Sequence, residues 1–361
     1  MSDIAVLIIA LVGGWTVVSV AVPRLAALCV RHGWLDRPGP RKMHIRPTPR
    51  LTGIALFLSI WMLAAAAAVF LPSRMQEIHT HFLTVLVGGM AVLLLGVTDD
   101  LRPLSGGAKL LVQAAVGSFL YVNGVGFDRL WIPFVGGLDL GLFSWPITLL
   151  WFVVLVNVVN IIDGMDGLAV STTAVATITL IWVSWTLRLP PVWIGAAGLL
   201  GGLIAFWRYN RPPASVFMGD SGSLSLGYFF AVVALWAPIK RFTAVAFFVP
   251  LIAFFVPLAE AALSLGRRSL AGANPLGADA RHLHHRLQER GWSAQRILIA
   301  YNSVAVALGL FSISMLYFNR RVLAVALGIF VLSLLMALGI ILSRPPKGCA
   351  GEHQPPADGE E

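Results

Sequence analysis

The sequence predicts an all-α polytopic membrane protein with about eleven transmembrane helices, and three observations carry that reading. Hydrophobic residues make up 58% of the 361-residue chain and charged residues only 12%, with a mean hydropathy of +0.82. Soluble chains carry about 25% charge, so this chain has too little polar surface to enclose its apolar mass in a water-soluble globule. Apolar runs long enough to cross a bilayer, roughly 17 to 25 residues each, recur at 4–22, 51–71, 82–97, 108–123, 143–159, 168–187, 190–206, 222–237, 242–265, 297–317 and 321–342. Lys and Arg, finally, are unevenly shared between alternate loops. With residue 1 outside, 19 of the 26 fall on the cytoplasmic side and 7 on the other, the bias expected of an inserted protein.

The first run has neither a basic start nor a small-residue cleavage site, so it reads as a retained span rather than a signal peptide. Segment 23–50 then forms a basic loop with five prolines, suited to lying against the inner headgroups. Between the fourth and fifth runs, DRLWIPFVGGLDLG (128–141) places two short apolar arms about Gly136-Gly137 and predicts a small external β-hairpin. Residues 1–342 form one integral-membrane domain, and the Pro-, Gly- and acid-rich 343–361 a disordered cytoplasmic tail. Cys29 and Cys349 stand far apart without a zinc or redox spacing, so no disulfide framework is suggested. The net charge of +9 reflects topology and anionic headgroups. Nucleic acid binding would need a soluble basic face with aromatic platforms, and the sequence has none.

Four polar clusters stand at the ends of apolar runs, all on the cytoplasmic side of this arrangement, although the charge count did not use them. Ionisable groups at membrane depth are costly and mark function. Asp99-Asp100 closes the third run, with Lys109 and Gln113 four apart on the next; the plain alternative is a solvated helix end. Asn157, Asn160, Asp163 and Asp166 recur every three residues on one helix face, with Gly164 and Gly167 releasing the backbone. A Gly-punctuated turn would give the same string, whereas an EF-hand would need alternating oxygen ligands and a terminal Glu. Met218-Gly-Asp-Ser-Gly-Ser223 offers Asp220 among small residues, where a metal-bound phosphate can come close. It lacks the Gly-Lys-Ser/Thr ending of a Walker loop, and Asp220 as a helix cap is the competing reading. Asp279-Ala-Arg-His-Leu-His-His-Arg286 has no His-Glu-x-x-His spacing for zinc. Its Arg and His residues suit a diphosphate clamp, with a solvated basic loop as the alternative.

Together these strings resemble the polyprenyl-phosphate N-acetylhexosamine-1-phosphate transferase family, over roughly residues 33–290. The resemblance is carried by VTDD with Lys109 and Gln113, NVVNIIDGMDGLA, FMGDSGS and PLGADARHLHHRL, and by the early string DRPGPRKMHIRPTPRLTG. It implies that Asp99 and Asp100 serve the lipid-phosphate acceptor or the metal. It also implies that Asn157, Asn160, Asp163 and Asp166 belong to the nucleotide and active-site string, and that Lys109 is an active-site lysine. Asp220, with Asp100, would hold Mg²⁺, Mn²⁺ being a substitute. Arg281, His282, His284 and His285 would meet the sugar and diphosphate. The His-x-His-His form looks like the branch using UDP-N-acetylglucosamine and its relatives. The chain departs from the family pattern at Thr52-Gly53, Glu260 and Asn274-Pro275-Leu276, none of them among the principal acids.

The resemblance thus implies transfer of N-acetylhexosamine 1-phosphate from a UDP-sugar to undecaprenyl phosphate at the cytoplasmic face of a bacterial inner membrane. Partners would be those substrates and membrane lipids, and a homodimer is compatible with it. The muramyl-pentapeptide transferases are the neighbouring alternative. A secondary transporter would place its acids near the midplane of repeated halves, whereas these clusters lie at one end of the spans and no repeat is evident.

Overall fold

A computed structural model describes residues 2–37, 46–75, 80–132, 136–236, 254–255, 258–259, 283–314, 316–317 and 328. Helix α1 (Asp3–His32) starts at Ser2, whose hydroxyl accepts the Ala5 N–H, and ends where Gly33 turns left-handed at φ 71°. The Gly33 and Trp34 N–H groups close onto the Val30 and Cys29 carbonyls, so the last turn is capped. The span expected at 4–22 therefore continues ten residues further, and 23–32 is helix rather than loop. Pro23 removes one backbone donor but does not stop the helix, and Arg24 reaches back to the Val20 carbonyl at 3.0 Å.

After α1 the chain pairs β1 (Leu35–Asp36) with β2 (Thr48–Pro49) antiparallel, Leu35 opposite Pro49 and Asp36 opposite Thr48. A 3-10 turn at Leu51–Gly53 leads into α2 (Ile54–Phe70), the short α3 (Pro72–Met75), α4 (Phe82–Leu101) and α5 (Gly106–Val122). The expected hairpin is present as β3 (Arg129–Ile132) and β4 (Gly136–Asp139), closed where Arg129 grips Asp139 at 2.6 and 2.7 Å. Helices α6 (Ser144–Ile162), α7 (Leu168–Thr186), α8 (Pro190–Asn210) and α9 (Gly219–Trp236) complete the central bundle. The short α10 (Leu283–Glu289) precedes α11 (Ala294–Ser314).

Nine of the eleven expected spans thus coincide with described helices, and seven helical stretches among the described residues are long and apolar enough to cross a membrane. Helix α5 and the apolar part of α9, Gly219–Leu235, are shorter. The runs at 242–265 and 321–342 fall almost wholly outside the described residues, as does the tail. The protein is a multi-pass membrane protein whose helices are held by packing. Helix α8 is buried along most of its length between α1, α2 and α7. Tyr228 of α9 sits at the centre, donating to the Val85 carbonyl at 2.5 Å and packing edge-on against Phe152. Because a buried hydroxyl without an acceptor is costly, that bond sets the register of α9 on α4.

Successive helices run in alternating directions, so the C-terminal ends of α4, α6 and α8 and the N-terminal ends of α2, α5, α7 and α9 share one end of the bundle. The β3–β4 hairpin joins α5 to α6 at the other end. Helix α11 lies along α7 in the same direction, for Asn302 donates to Ser171 at 2.9 Å while Gly309 packs on Thr179.

Candidate active site

At the shared end, three of the four sequence clusters meet. Asp99 and Asp100 occupy the last turn of α4. Asp99 Oδ1 accepts the Leu104 N–H at 2.7 Å, which turns the chain into α5. Lys109, in the first turn of α5, then sits between two carboxylates, with Nζ 2.9 Å from Asp99 Oδ2 and 3.0 Å from Asp220 Oδ2. The ammonium has three donors, and two are taken by these contacts.

Asp100 faces the other way. Its Oδ1 and Oδ2 accept the N–H groups of Asp220 and Ser221, each at 2.9 Å. Its side chain is fully buried, and the Arg50 Nε ion-pairs with Oδ1 at 3.0 Å. A carboxylate from α4 thus supplies the acceptors that the first turn of α9 lacks internally. Gly219 makes this approach feasible: it has φ +68°, and a Cβ there would stand 2.5 Å from Asp100 Oδ2 and collide with the Arg50 carbonyl. The segment before α2 is stitched to the same strand of chain. Phe217 N–H donates to the Pro49 carbonyl at 2.8 Å, Thr52 Oγ1 to the Phe217 carbonyl at 2.7 Å, and Gly53 N–H to the Met218 carbonyl at 3.2 Å.

Asp163 caps the end of α6, just beyond the span. Desolvation pushes its carboxyl well above the usual carboxylate range, the Asp220 and Asp100 charges push it further, and Arg50 opposes them more weakly. No side-chain hydrogen bond engages it among the described residues. Asp166, three residues on, accepts the Ala214 N–H at 2.9 Å. Beside it Asn210 takes the Gly167 N–H at 3.0 Å and donates to the Val216 carbonyl at 2.9 Å. Asp166 and Asn210 thereby hold the turn after α6 against the loop that leads to Asp220.

Asn157 and Gln113 form a reciprocal amide pair between α6 and α5, at 2.7 and 3.2 Å, with Gln113 fully buried. Asn157, expected to touch substrate, has its amide committed to this clamp and to the Val153 carbonyl at 2.8 Å. Asn160 is half-buried on the same helix, between the clamp and Asp163. Arg281 and His282 lie outside the described residues. His284 and His285 fall on α10, which packs on α11, and their side chains are not described.

The residue that the sequence reading did not single out is Arg50. It was one of seven Lys and Arg in segment 23–50, and only the fold separates it from the rest. Arg50, Asp99, Asp100, Lys109, Asp163 and Asp220 come from five segments and form one acid-rich cluster with two cations. Among the described residues no three His, Cys, Asp or Glu side chains are grouped so as to cage a metal. Mg²⁺ does not need such a cage, since it is commonly held by one or two carboxylates plus substrate phosphates. Asp163 and the Oδ1 side of Asp220 retain acceptor capacity and fit that pattern. Each Asp100 oxygen, by contrast, already accepts a backbone N–H, and Oδ1 also meets the Arg50 Nε.

Residues 82–237, which contain α4 to α9, match the family model described as glycosyl transferase family 4. A Mycobacterium tuberculosis protein named decaprenyl-phosphate N-acetylglucosaminephosphotransferase is 33% identical over 334 residues, spanning 81% of this chain and 78% of its own. A Bacillus subtilis protein named "probable undecaprenyl-phosphate N-acetylglucosaminyl 1-phosphate transferase" is 28% identical, over 82% of this chain and 81% of its own. A phospho-N-acetylmuramoyl-pentapeptide-transferase of Clostridium perfringens is also 28% identical, over 83% and 94% respectively.

Proposed function

The chain belongs to glycosyl transferase family 4, the polyprenyl-phosphate N-acetylhexosamine-1-phosphate transferases, and on that premise we propose that it transfers N-acetylglucosamine 1-phosphate from UDP-N-acetylglucosamine to undecaprenyl phosphate. The observation that carries the reading is the Lys109 bridge between Asp99 and Asp220 at 2.9 and 3.0 Å. It joins the end of α4 to the start of α9 and leaves one ammonium donor for a phosphate oxygen. Such a cluster suits phosphoryl transfer, which asks the protein for position and charge neutralisation more than for covalent chemistry.

In the reaction, an oxygen of the lipid phosphate forms a bond to the sugar-bearing phosphorus. The bond from that phosphorus to the oxygen shared with the uridine-linked phosphate breaks, and the electron pair leaves on UMP. A phosphate monoester has its second pKa near 6, so at neutral pH the acceptor arrives largely as a dianion and needs no strong base. Lys109 orients that dianion while Asp99 holds Lys109. Asp163 and Asp220 would hold Mg²⁺, which when bound would neutralise charge on the diphosphate. Asp100 supports this site from behind by fixing the first turn of α9. The Arg281–His285 string would meet the sugar and diphosphate, as the family resemblance implies. The site would face the cytoplasm from a bacterial inner membrane, with the β3–β4 hairpin outside.

The test is UMP release by the detergent-solubilised protein from a panel of UDP-sugars, with and without undecaprenyl phosphate and Mg²⁺. UDP-N-acetylglucosamine is expected to be the preferred donor, with both additions required. Exclusive use of UDP-N-acetylmuramyl-pentapeptide would move the chain to the muramyl-pentapeptide branch, and UMP release without a lipid acceptor would remove the transferase reading.

A further inference from the structure

Arg50 is placed as firmly as the acids it faces. Hydrogen bonds pin the chain on both sides of it, at Pro49 and at Thr52 and Gly53, to residues 217–218. Its Nε lies 3.0 Å from Asp100 Oδ1, and its Nη2 lies 3.9 Å from Asp220 Oδ1. That second distance is beyond hydrogen-bonding range. A tie between the loop and the end of α4 would need only the Asp100 contact, and among the described residues no hydrogen bond engages the terminal nitrogens of the guanidinium. The side chain is 34% exposed, against 0% for Asp100.

Charge points the same way. Four carboxylates, Asp99, Asp100, Asp163 and Asp220, face two cations, and Lys109 is already spanned between two of the acids. An anionic ligand entering beside Asp220 meets more acids than cations, so a second cation with unfilled donors there favours its binding. Guanidinium suits that task, because its planar fork matches two phosphate oxygens at once.

We propose that Arg50 is a diphosphate-binding residue, fixed on its Nε side by Asp100 and offering its terminal nitrogens to the phosphates of a nucleoside diphosphate lodged beside Asp220. The inference rests on the reading of this site as one that takes a nucleoside diphosphate sugar, and it adds the basic loop before α2 to the residues that grip the donor.

Equilibrium binding of UDP in the presence of Mg²⁺, to the full chain in detergent, tests this without turnover. Arg50→Gln is expected to bind UDP at least tenfold more weakly than the wild type, about 1.4 kcal/mol, with a ligand-free unfolding temperature close to that of the wild type. Arg50→Lys, which keeps the charge but loses the fork, is expected to fall between them. Unchanged UDP affinity in Arg50→Gln would overturn the proposal. So would a loss of affinity matched by a large fall in unfolding temperature in both variants, which would make Arg50 a structural tie. Should Arg50→Gln not fold, Arg50→Lys decides: weakened UDP binding in a folded protein supports the role, and wild-type affinity removes it. A wild type that binds no UDP also removes it. UMP release by the wild type beside unchanged UDP affinity in Arg50→Gln would leave the transferase function standing and discard only Arg50.

Discussion

At the scale of single residues, the site is a set of charges each held by a different kind of partner. Asp220 has Lys109 on one oxygen and a loose Arg50 on the other, so it has room to bind a cation. Asp220→Asn is therefore expected to lower transfer more than tenfold in a folded protein. A variant keeping above about a tenth of the activity, a loss under roughly 1.4 kcal/mol, would remove Asp220 from the site. Asp163 makes a pH prediction. Its raised pKa means that the ligand-free protein loses stability as pH climbs from the unfolded value, about 3.9, towards the folded one, because the buried carboxylate must ionise beside two others. A divalent cation competes with that proton, so stabilisation by Mg²⁺ in thermal unfolding should grow as pH rises through the folded pKa, and this growth should flatten in Asp163→Asn. The acids were legible in the sequence because charge is conspicuous in a chain with 12% charged residues. Their division of labour was not. Nothing in the string Asp99-Asp100 tells which carboxylate meets Lys109 and which caps α9, since that depends on where α9 arrives.

At the scale of elements, the helices are joined by a few buried polar contacts. The Gln113–Asn157 pair locks α5 to α6 below Lys109 and Asp163. Removing one amide leaves the other buried and unpaired, which costs about 1–3 kcal/mol, whereas replacing both with apolar groups is nearly neutral. Asn157→Ala is thus expected to lower the unfolding temperature more than the double replacement Gln113→Leu with Asn157→Leu, and the reverse order would show that the pair carries little. Apolar runs located the helices well because span length and hydropathy are local properties. The apolar run ends at Val22, so the basic, proline-containing segment after it reads as a loop, while the signal that ends the helix is Gly33 behind the basic turn Arg31-His32. The β1–β2 pairing was not visible either, since two-residue strands have no periodicity, yet it is the element that returns the chain to Arg50.

At the scale of the whole molecule, alternating helix directions bring the ends of α4, α5, α6 and α9 together, and the charge bias of 19 to 7 supports the proposal that this end faces the cytoplasm. With Cys29 and Cys349 replaced, single cysteines placed beside Asp99, Asp163 and Asp220 are expected to resist a membrane-impermeant thiol reagent in intact cells, while one beside Gly136 in the hairpin is labelled. Labelling at any of the first three would break the common site. That the clusters of Asp99, Asp163 and Asp220 share one side was expected from counting spans; that they touch could come only from packing. The most direct measurement of the central claim follows the phosphorus. UDP-N-acetylglucosamine labelled at the sugar-linked phosphate is incubated with the protein, Mg²⁺ and undecaprenyl phosphate, and the lipid is extracted. The label is expected in the lipid fraction in step with UMP release, and to fall there more than tenfold with Asp220→Asn. Label that stays in the aqueous phase while UMP is released would contradict sugar-phosphate transfer to the lipid.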